Sequence, residues 1–373
     1  MSGHPAPARI IGFPGRYVQG AGALRSLGTL VREIGCLRPV LVSDDVVDAA
    51  LGTLVPDALR AASLPVQRLR FGGECTHAAI AALSAQARAA GADVVVALGG
   101  GKTIDTAKGI ARELGTRLVV APTVASNDSP TSRLIVVYDD AHRLVAVDYL
   151  ARNPDAVLVD TEVIVRAPVR FFRAGIGDAI SKRYEAAQCA GAGGLNFFGG
   201  RPPDTAGLLA ERCHAAIVAH GQAAIEAVER HACTPAVESI IEATVLLSGL
   251  GFESGGLSLS HALLRGLSAV PELAGALHGE QVAFGTIVQL VLEARADAEL
   301  DAHVDLLTRL GLPTTLAALG WTGASAERLA QVAALTMTAP YIGNFQSVLS
   351  AEAIAAAIVR ADAAGAAQTR PHR

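Results

Sequence analysis

DVVVALGGGKTIDTAK, residues 93–108, reads as a strand that runs into three glycines and then into a helix. Val94, Val95, Val96, Ala97 and Leu98 show no polar alternation, so both faces of that strand are expected to be covered. The helix continues as TIDTAKGIARELG (103–115) and stops at Gly115. Gly99-Gly100-Gly101 lets a phosphate approach backbone N–H groups, and a helix N-terminus adds a favourable field. Two common phosphate motifs fail here. A P-loop ending at Gly101-Lys102-Thr103 needs glycine where Val96 stands, and GxGxxG needs glycine where Ile104 stands. A plain glycine turn is the competing reading, but the strand–glycine–helix order with Lys102 and nearby threonines favours phosphate binding.

Upstream, Arg38-Pro39 leads into VLVSDD, a buried strand that ends on two carboxylates. Asp44 at that end suits the adenosine ribose hydroxyls, which favours NAD over NADP. It suits equally well the cap of a helix starting near Asp45, and the residues leave both readings open. LPVQRLRF (64–71) and RLVVAPTVAS (117–126) read as further strands, with an amphipathic helix at THAAIAALSAQARAAGA (76–92). Beyond about residue 160 the strand patterns vanish. Helical stretches follow at 174–191, 204–230, 234–250, 255–268, 279–295, 300–310, 325–337 and 350–364. AGAGGLNFFGGRPPD (190–204) reads as a loop between helices, and AAGAAQTRPHR (363–373) as a frayed tail. The expected architecture is α/β: an N-terminal Rossmann-like parallel-sheet domain over 1–160 and a C-terminal all-helical domain over 161–373.

The chain of 373 residues suits two domains, and 51% hydrophobic residues imply large buried surfaces. With 31 basic against 35 acidic residues there is no electrostatic footprint for nucleic acid or an anionic membrane. No apolar run approaches the roughly 18–20 residues of a membrane span, and MSGHPAPARIIG lacks the pattern of a secretory signal. Cys36, Cys75, Cys189, Cys213 and Cys233 are scattered, which points to free thiols in a reducing cytoplasm. His214, His220, His231 and His303 lie in helical stretches and His4 and His372 near the ends; all six read as structural or surface residues.

Longer blocks narrow the reading. RYVQGAGAL (16–24), LGGGKTIDTAK (98–108), APTVASNDSPTS (121–132), NPDAVLVDTEVI (153–164), APVRFFRAGIGDA (167–179), SGLGFESGGLSLSHA (248–262) and HGEQVAFG (278–285) resemble the glycerol dehydrogenase branch of the iron-containing (group III) alcohol dehydrogenases. The resemblance covers most of the chain and is weakest after about residue 315. It implies metal ligation by Asp178, His261 and His278 in the helical domain, with zinc the usual ion and Fe2+ the alternative. It places Gly100, Gly101, Lys102 and Asp105 along the cofactor phosphates and nicotinamide. Thr123, Ser126, Ser132, Leu134 and Tyr138 would touch NAD, Asp44 the ribose, and Asp128 the substrate hydroxyls. A homo-oligomer acting on a small-molecule alcohol is also implied.

Some positions depart from the family pattern. HALLRGL (261–267) carries Leu264 and Arg265 where the family usually has histidine and asparagine. PELAGALHGE (271–280) lacks the further histidines common there, and Arg133 replaces an alanine. Arg265, four residues after His261, would share its helical face and could hold a substrate anion, or pair with a structural carboxylate. The expected reaction is oxidation of a polyol's secondary alcohol with hydride transfer to NAD. An anionic hydroxy acid or polyol phosphate held by Arg265 and Arg133 is the alternative substrate class.

Overall fold

The structure is a computed structural model that describes residues 7–140 and 143–368, so His4, His372 and the last five residues of the expected tail lie outside it. By contact the described chain divides into two compact units. One holds Phe13–Phe172 and Glu226–Gly249, and the other holds the remaining described residues. The sequence suggested a contiguous division at 160/161; by contact, a later helical segment belongs with the sheet.

In the sheet unit six strands lie parallel in the order β1-β8-β5-β4-β2-β3. They are β1 Tyr17–Gly20, β2 Pro39–Ser43, β3 Gln67–Arg70, β4 Val94–Gly99, β5 Arg117–Pro122 and β8 Ala156–Asp160. β2, β4 and β8 are buried at every residue, as expected of apolar strands covered on both faces. Edge strands β1 and β3 are more exposed. The covering helices include α1 Leu27–Glu33, α2 Asp45–Leu51, α3 Leu54–Ala61, α4 His77–Ala89, α5 Gly101–Leu114 and α6 Thr161–Ile164. Gly115 ends α5 in the left-handed conformation at φ 68°, which glycine adopts without penalty. A separate antiparallel hairpin, β6 Leu134–Tyr138 with β7 Leu144–Tyr149, was not expected from sequence.

The chain leaves β2 toward β3 at one edge, then returns to β4 on the other side and moves on to β5 and β8. The reversal point lies between the C-terminal ends of β2 and β4. Open α/β sheets bind ligands at such a point.

The second half of the chain is helical. Its helices are α7 Val169–Ala179, α8 Lys182–Gly191, α9 Asp204–Glu229, α10 Pro235–Ile241, α11 Ser248–Gly255, α12 Leu259–Ala262, α13 Leu264–Leu267 and α14 His278–Leu292, then α15 Asp297–Arg309, α16 Leu316–Leu319, α17 Ala326–Thr336 and α18 Ala351–Gln368. α18 carries residues 363–368 as helix, so that part of the tail does not fray. A π turn, Glu242–Leu247, joins α10 to α11. The resulting run Pro235–Gly255 has 21 residues and a mean hydropathy of 1.3. It is therefore long and apolar enough to cross a membrane, contrary to the sequence expectation. Its apolar window is 67% buried inside the protein, as in a core helix. All five cysteines are free thiols, and Cys233 alone among them is exposed.

Candidate metal centre and glycine loop

Asp178, His261 and His278 stand on α7, α12 and α14. Glycines let these helices meet. A Cβ at Gly279 would lie 1.7 Å from the Ala174 carbonyl oxygen, and one at Gly177 would lie 2.4 Å from the Gly279 oxygen. α14 thus packs backbone to backbone against α7, setting His278 beside Asp178. A Cβ at Gly285 would lie 2.6 Å from the Ser260 oxygen, so α14 also holds the turn that carries His261. The Gln289 side-chain oxygen fixes that turn by accepting from the Ser260 N–H at 3.0 Å and its hydroxyl at 2.8 Å.

The three ligand candidates converge. Asp178 Oδ1 lies 3.2 Å from His261 Nε2 and 3.6 Å from His278 Nε2. One donor atom from each residue falls within 4.8 Å of the other two. Asp178 and His261 are buried, whereas the His278 side chain is 46% exposed, so the cluster has a closed floor and an open side.

Two further charged residues complete the centre, and sequence reading passed over both. Glu185 is buried and accepts from His261 Nδ1 at 2.6 Å, from the N–H groups of His261 and Ser258, and from the Ser181 hydroxyl. This fixes the His261 ring with Nε2 turned toward Asp178, the outer carboxylate contact that orients metal-binding histidines. Lys182 is also buried. It donates to Asp178 Oδ1 at 2.6 Å and lies 3.1 Å from His261 Nε2. Burial opposes charge on Asp178, but Lys182 and the hydrogen bonds of His261 and His278 hold it well below the usual carboxylate range. Burial likewise opposes charge on His261, yet Glu185 outweighs burial and Lys182 and raises it to about 9. In sequence, Lys182 and Glu185 follow Asp178 by four and seven residues, a helical spacing that was the available signal.

Asp178 Oδ2 is buried and has no hydrogen-bond partner among the described residues. Leaving such an oxygen unmatched costs about 1–3 kcal/mol or more, and a cation beside it would remove that cost. One carboxylate and two imidazoles, with one imidazole oriented from behind, are donors that zinc or iron(II) accepts. The residues fit such an ion.

In the sheet unit, Gly100 is the extended N-cap of α5 and Gly101 its first residue. A Cβ at Gly99 would lie 2.6 Å from Thr103 Oγ1, and one at Gly101 would lie 3.0 Å from Asn127 Nδ2. The close packing demands glycine at 99 and leaves little room for a side chain at 101. Thr123 is buried and donates its N–H to the Gly99 oxygen, and Ser126 is partly buried just beyond. Lys102 donates to Glu74 Oε2 at 2.6 Å and sits 5.5 Å above the Tyr138 ring. Burial, with Asp105 and Glu74 adding, pushes the Tyr138 hydroxyl up to about 12.

Asp105, Ser132 and Leu134 belong to one buried network whose cation is Lys108, another residue missed in sequence. Lys108 Nζ lies 3.1 Å from Asp105 Oδ1, 3.2 Å from Ser129 Oγ, 3.3 Å from Ser132 Oγ and 2.7 Å from the Leu134 oxygen. Asp105 also accepts from the Ser129 hydroxyl and the Val136 N–H. Nearby, Ser248 donates to Asp128 Oδ2 at 2.9 Å, and Thr131 donates to the Val245 oxygen at 2.9 Å. Val245 lies in the π turn.

The remaining candidates are engaged elsewhere. Asp44 caps α2 by accepting from the Val47 N–H at 2.8 Å. Arg265 is exposed and donates to Thr338 Oγ1, while Leu264 beside it is half-buried. The Arg133 guanidinium lies 5.2 Å from the Tyr149 ring centroid and 3.4 Å from the Leu150 oxygen. The structure brings together Asp178, His261 and His278; it does not bring Arg265 into that cluster.

The profile of the iron-containing alcohol dehydrogenases matches residues 14–161. The chain is 42% identical over 322 residues to a glycerol dehydrogenase of Thermotoga maritima, covering 86% of this chain and 87% of that one. It is 41% identical over 309 residues to a glycolaldehyde reductase of Halobacterium salinarum, covering 83% and 84%. The crystal structure of glycerol dehydrogenase from Schizosaccharomyces pombe superimposes with a TM-score of 0.93 at 33% identity, covering 97% of this chain and 92% of that one.

Proposed function

Because this chain belongs to the glycerol dehydrogenase branch of the iron-containing alcohol dehydrogenase family, we propose that it oxidises the secondary hydroxyl of a small polyol to the ketone. Glycerol or a close relative is the substrate, NAD the hydride acceptor and zinc the metal. The observation that carries this reading is the cluster of Asp178, His261 and His278, open at His278 and holding the unmatched Asp178 Oδ2.

A divalent ion bound there supplies Lewis-acid polarisation of an alcohol oxygen. Glu185 holds His261 in the tautomer that presents Nε2 to the ligand cluster. Gly100, Gly101 and Lys102, at the N-terminus of the 14-residue α5, are the proposed seat of the dinucleotide phosphates. Asp44 is assigned to the ribose. Asp105, Thr123, Ser126, Ser132, Leu134 and Tyr138 are assigned to NAD, and Asp128, held by Ser248, to the substrate hydroxyls. A homo-oligomer in a reducing cytoplasm completes the proposal, in keeping with the free thiols.

The test is NADH formation by zinc-loaded protein on glycerol, 1,2-diols, hydroxy acids and polyol phosphates, with metal content measured alongside. Turnover on neutral diols is expected. No NADH from any neutral diol, with zinc or iron loaded, would overturn the reading. A second reading, reduction of a small α-hydroxy aldehyde, draws on the 41% identity to a glycolaldehyde reductase. Comparing kcat/KM for glycolaldehyde with NADH and for glycerol with NAD separates the two. The anionic alternative requires Arg265→Ala to raise KM for an acidic substrate far more than for glycerol.

A further inference from the structure

Two arginines stand beside the strand end assigned to the adenosine ribose. β4 carries the glycine loop, β2 lies next to it and leads to Asp44, and β3 lies next to β2. Ser43, one residue before Asp44, pairs in register with Arg70, and the Phe71 N–H donates to the Ser43 oxygen at 2.8 Å. Arg68 lies two residues back on the same strand and points to the same region. General experience of dinucleotide folds gives a carboxylate here the ribose 2′-hydroxyl, and gives an arginine here the 2′-phosphate of NADP. This chain has both kinds of residue at one strand end.

What separates them is Asp45. Arg70 Nε lies 2.9 Å from Asp45 Oδ2 and 3.1 Å from its Oδ1. Arg68 Nη2 lies 2.8 Å from Asp45 Oδ1. Arg68 is held twice more, by the Ser43 hydroxyl at 3.2 Å and by Asp48. Among the described residues Arg70 has no such second carboxylate, and its side chain is 71% exposed. Exposed ion pairs add little to stability, so stability alone does not explain one carboxylate gathering two guanidiniums at the mouth of a nucleotide crevice.

We propose that Asp45 is a specificity-determining residue for the dinucleotide: by binding Arg68 and Arg70, it denies a 2′-phosphate the guanidinium that would neutralise it. This rests on the reading of the glycine loop as a dinucleotide seat. Guanidinium binds phosphate with the same two-pronged geometry that it uses on carboxylate, so Asp45 and a 2′-phosphate compete for one partner. Asp45 also adds a second negative charge next to Asp44, which repels the phosphate directly.

Asp45→Asn frees Arg70 while Asp48 retains Arg68. The experiment is calorimetric titration of native and Asp45→Asn protein with NAD+, NADP+, ADP and 2′,5′-ADP, which reads binding without turnover. Native protein is expected to bind NAD+ and ADP more tightly than their 2′-phosphorylated counterparts. In Asp45→Asn, NADP+ and 2′,5′-ADP are expected to bind about tenfold more tightly, the worth of one charge-assisted contact, with NAD+ unchanged within about twofold. Adding Arg70→Gln to Asp45→Asn should return the NADP+ affinity to the native level. Both positions are exposed, so the folded state is expected to survive. If NAD+ binds every variant and NADP+ affinity does not move, Asp45 does not set the preference. If native protein binds no dinucleotide at all, the glycine-loop reading falls and takes this proposal with it.

Discussion

Lys108 and Lys182 are both almost fully buried, yet their surroundings differ in kind. Around Lys108 lie one carboxylate, two hydroxyls and a main-chain carbonyl, and Asp105 is matched in turn by Ser129 and Val136. Lys182 instead touches Asp178 Oδ1 and His261 Nε2, two atoms of the ligand cluster. The first ammonium braces Asp105 of α5 against Ser132 and Leu134, none of which belongs to the candidate metal cluster. The second rests on atoms that a metal ion would claim. Burial of a lysine therefore does not reveal its role; what its partners would do without it does.

The contrast breaks most readily at Lys108. Lys108→Met leaves Asp105 buried without its cation, and a loss of about 3–5 kcal/mol is expected, read as a lowered denaturant midpoint. Zinc should not restore it. A change below about 1 kcal/mol would show that the network is not a brace.

Behind the ligands, Glu185→Gln should weaken zinc affinity by about 10–100-fold, the usual cost of losing an orienting contact, measured by competition with a chromophoric chelator. Unchanged affinity would mean that Glu185 does not orient His261. Lys182→Met sharpens the comparison directly. Without metal it should destabilise the protein, since Asp178 loses a cation. With zinc that stability should return, and zinc affinity should rise about tenfold because one like charge is gone. If zinc rescues Lys108→Met and Lys182→Met equally, the distinction between the two lysines fails.

The smallest effect concerns a third buried base. Burial, with His214 adding, lowers His303 to about 3, and its Nε2 has no hydrogen-bond partner among the described residues. Its folded pKa is depressed, so between about pH 6.5 and 3 the unfolded chain takes up the proton first. Stability from this residue is full above the unfolded value and is lost as pH falls. His303→Leu should flatten the decline of melting temperature between pH 6.5 and 4. An unchanged slope would remove His303 from the account.

Much of the sheet was legible because β2, β4 and β5 are apolar at nearly every position, and such runs have few alternatives to a covered parallel strand. β1, β8 and the β6–β7 hairpin were not read as strands. β1 is a four-residue edge strand, too short to show a pattern, and β7 leaves Leu144, Val145 and Val147 exposed, against the burial their apolar character would suggest. The candidate ligand triad became readable through family motifs, since its members lie 83 and 17 residues apart. Lys108, Lys182 and Glu185 were not read, because a single charge within a helix usually belongs to a solvated face. Their burial exists only in the folded chain. Asp44 stays double: the helix cap is present, and a cap does not prevent a ribose contact.

The seam where Gly177 meets Gly279 fixes the distance between two ligand-bearing helices through main chain alone. The spacing of the two main chains is then insensitive to most neighbouring side-chain substitutions. A side chain larger than hydrogen at either glycine would push α7 and α14 apart and separate Asp178 from His278 before any ligand atom was changed.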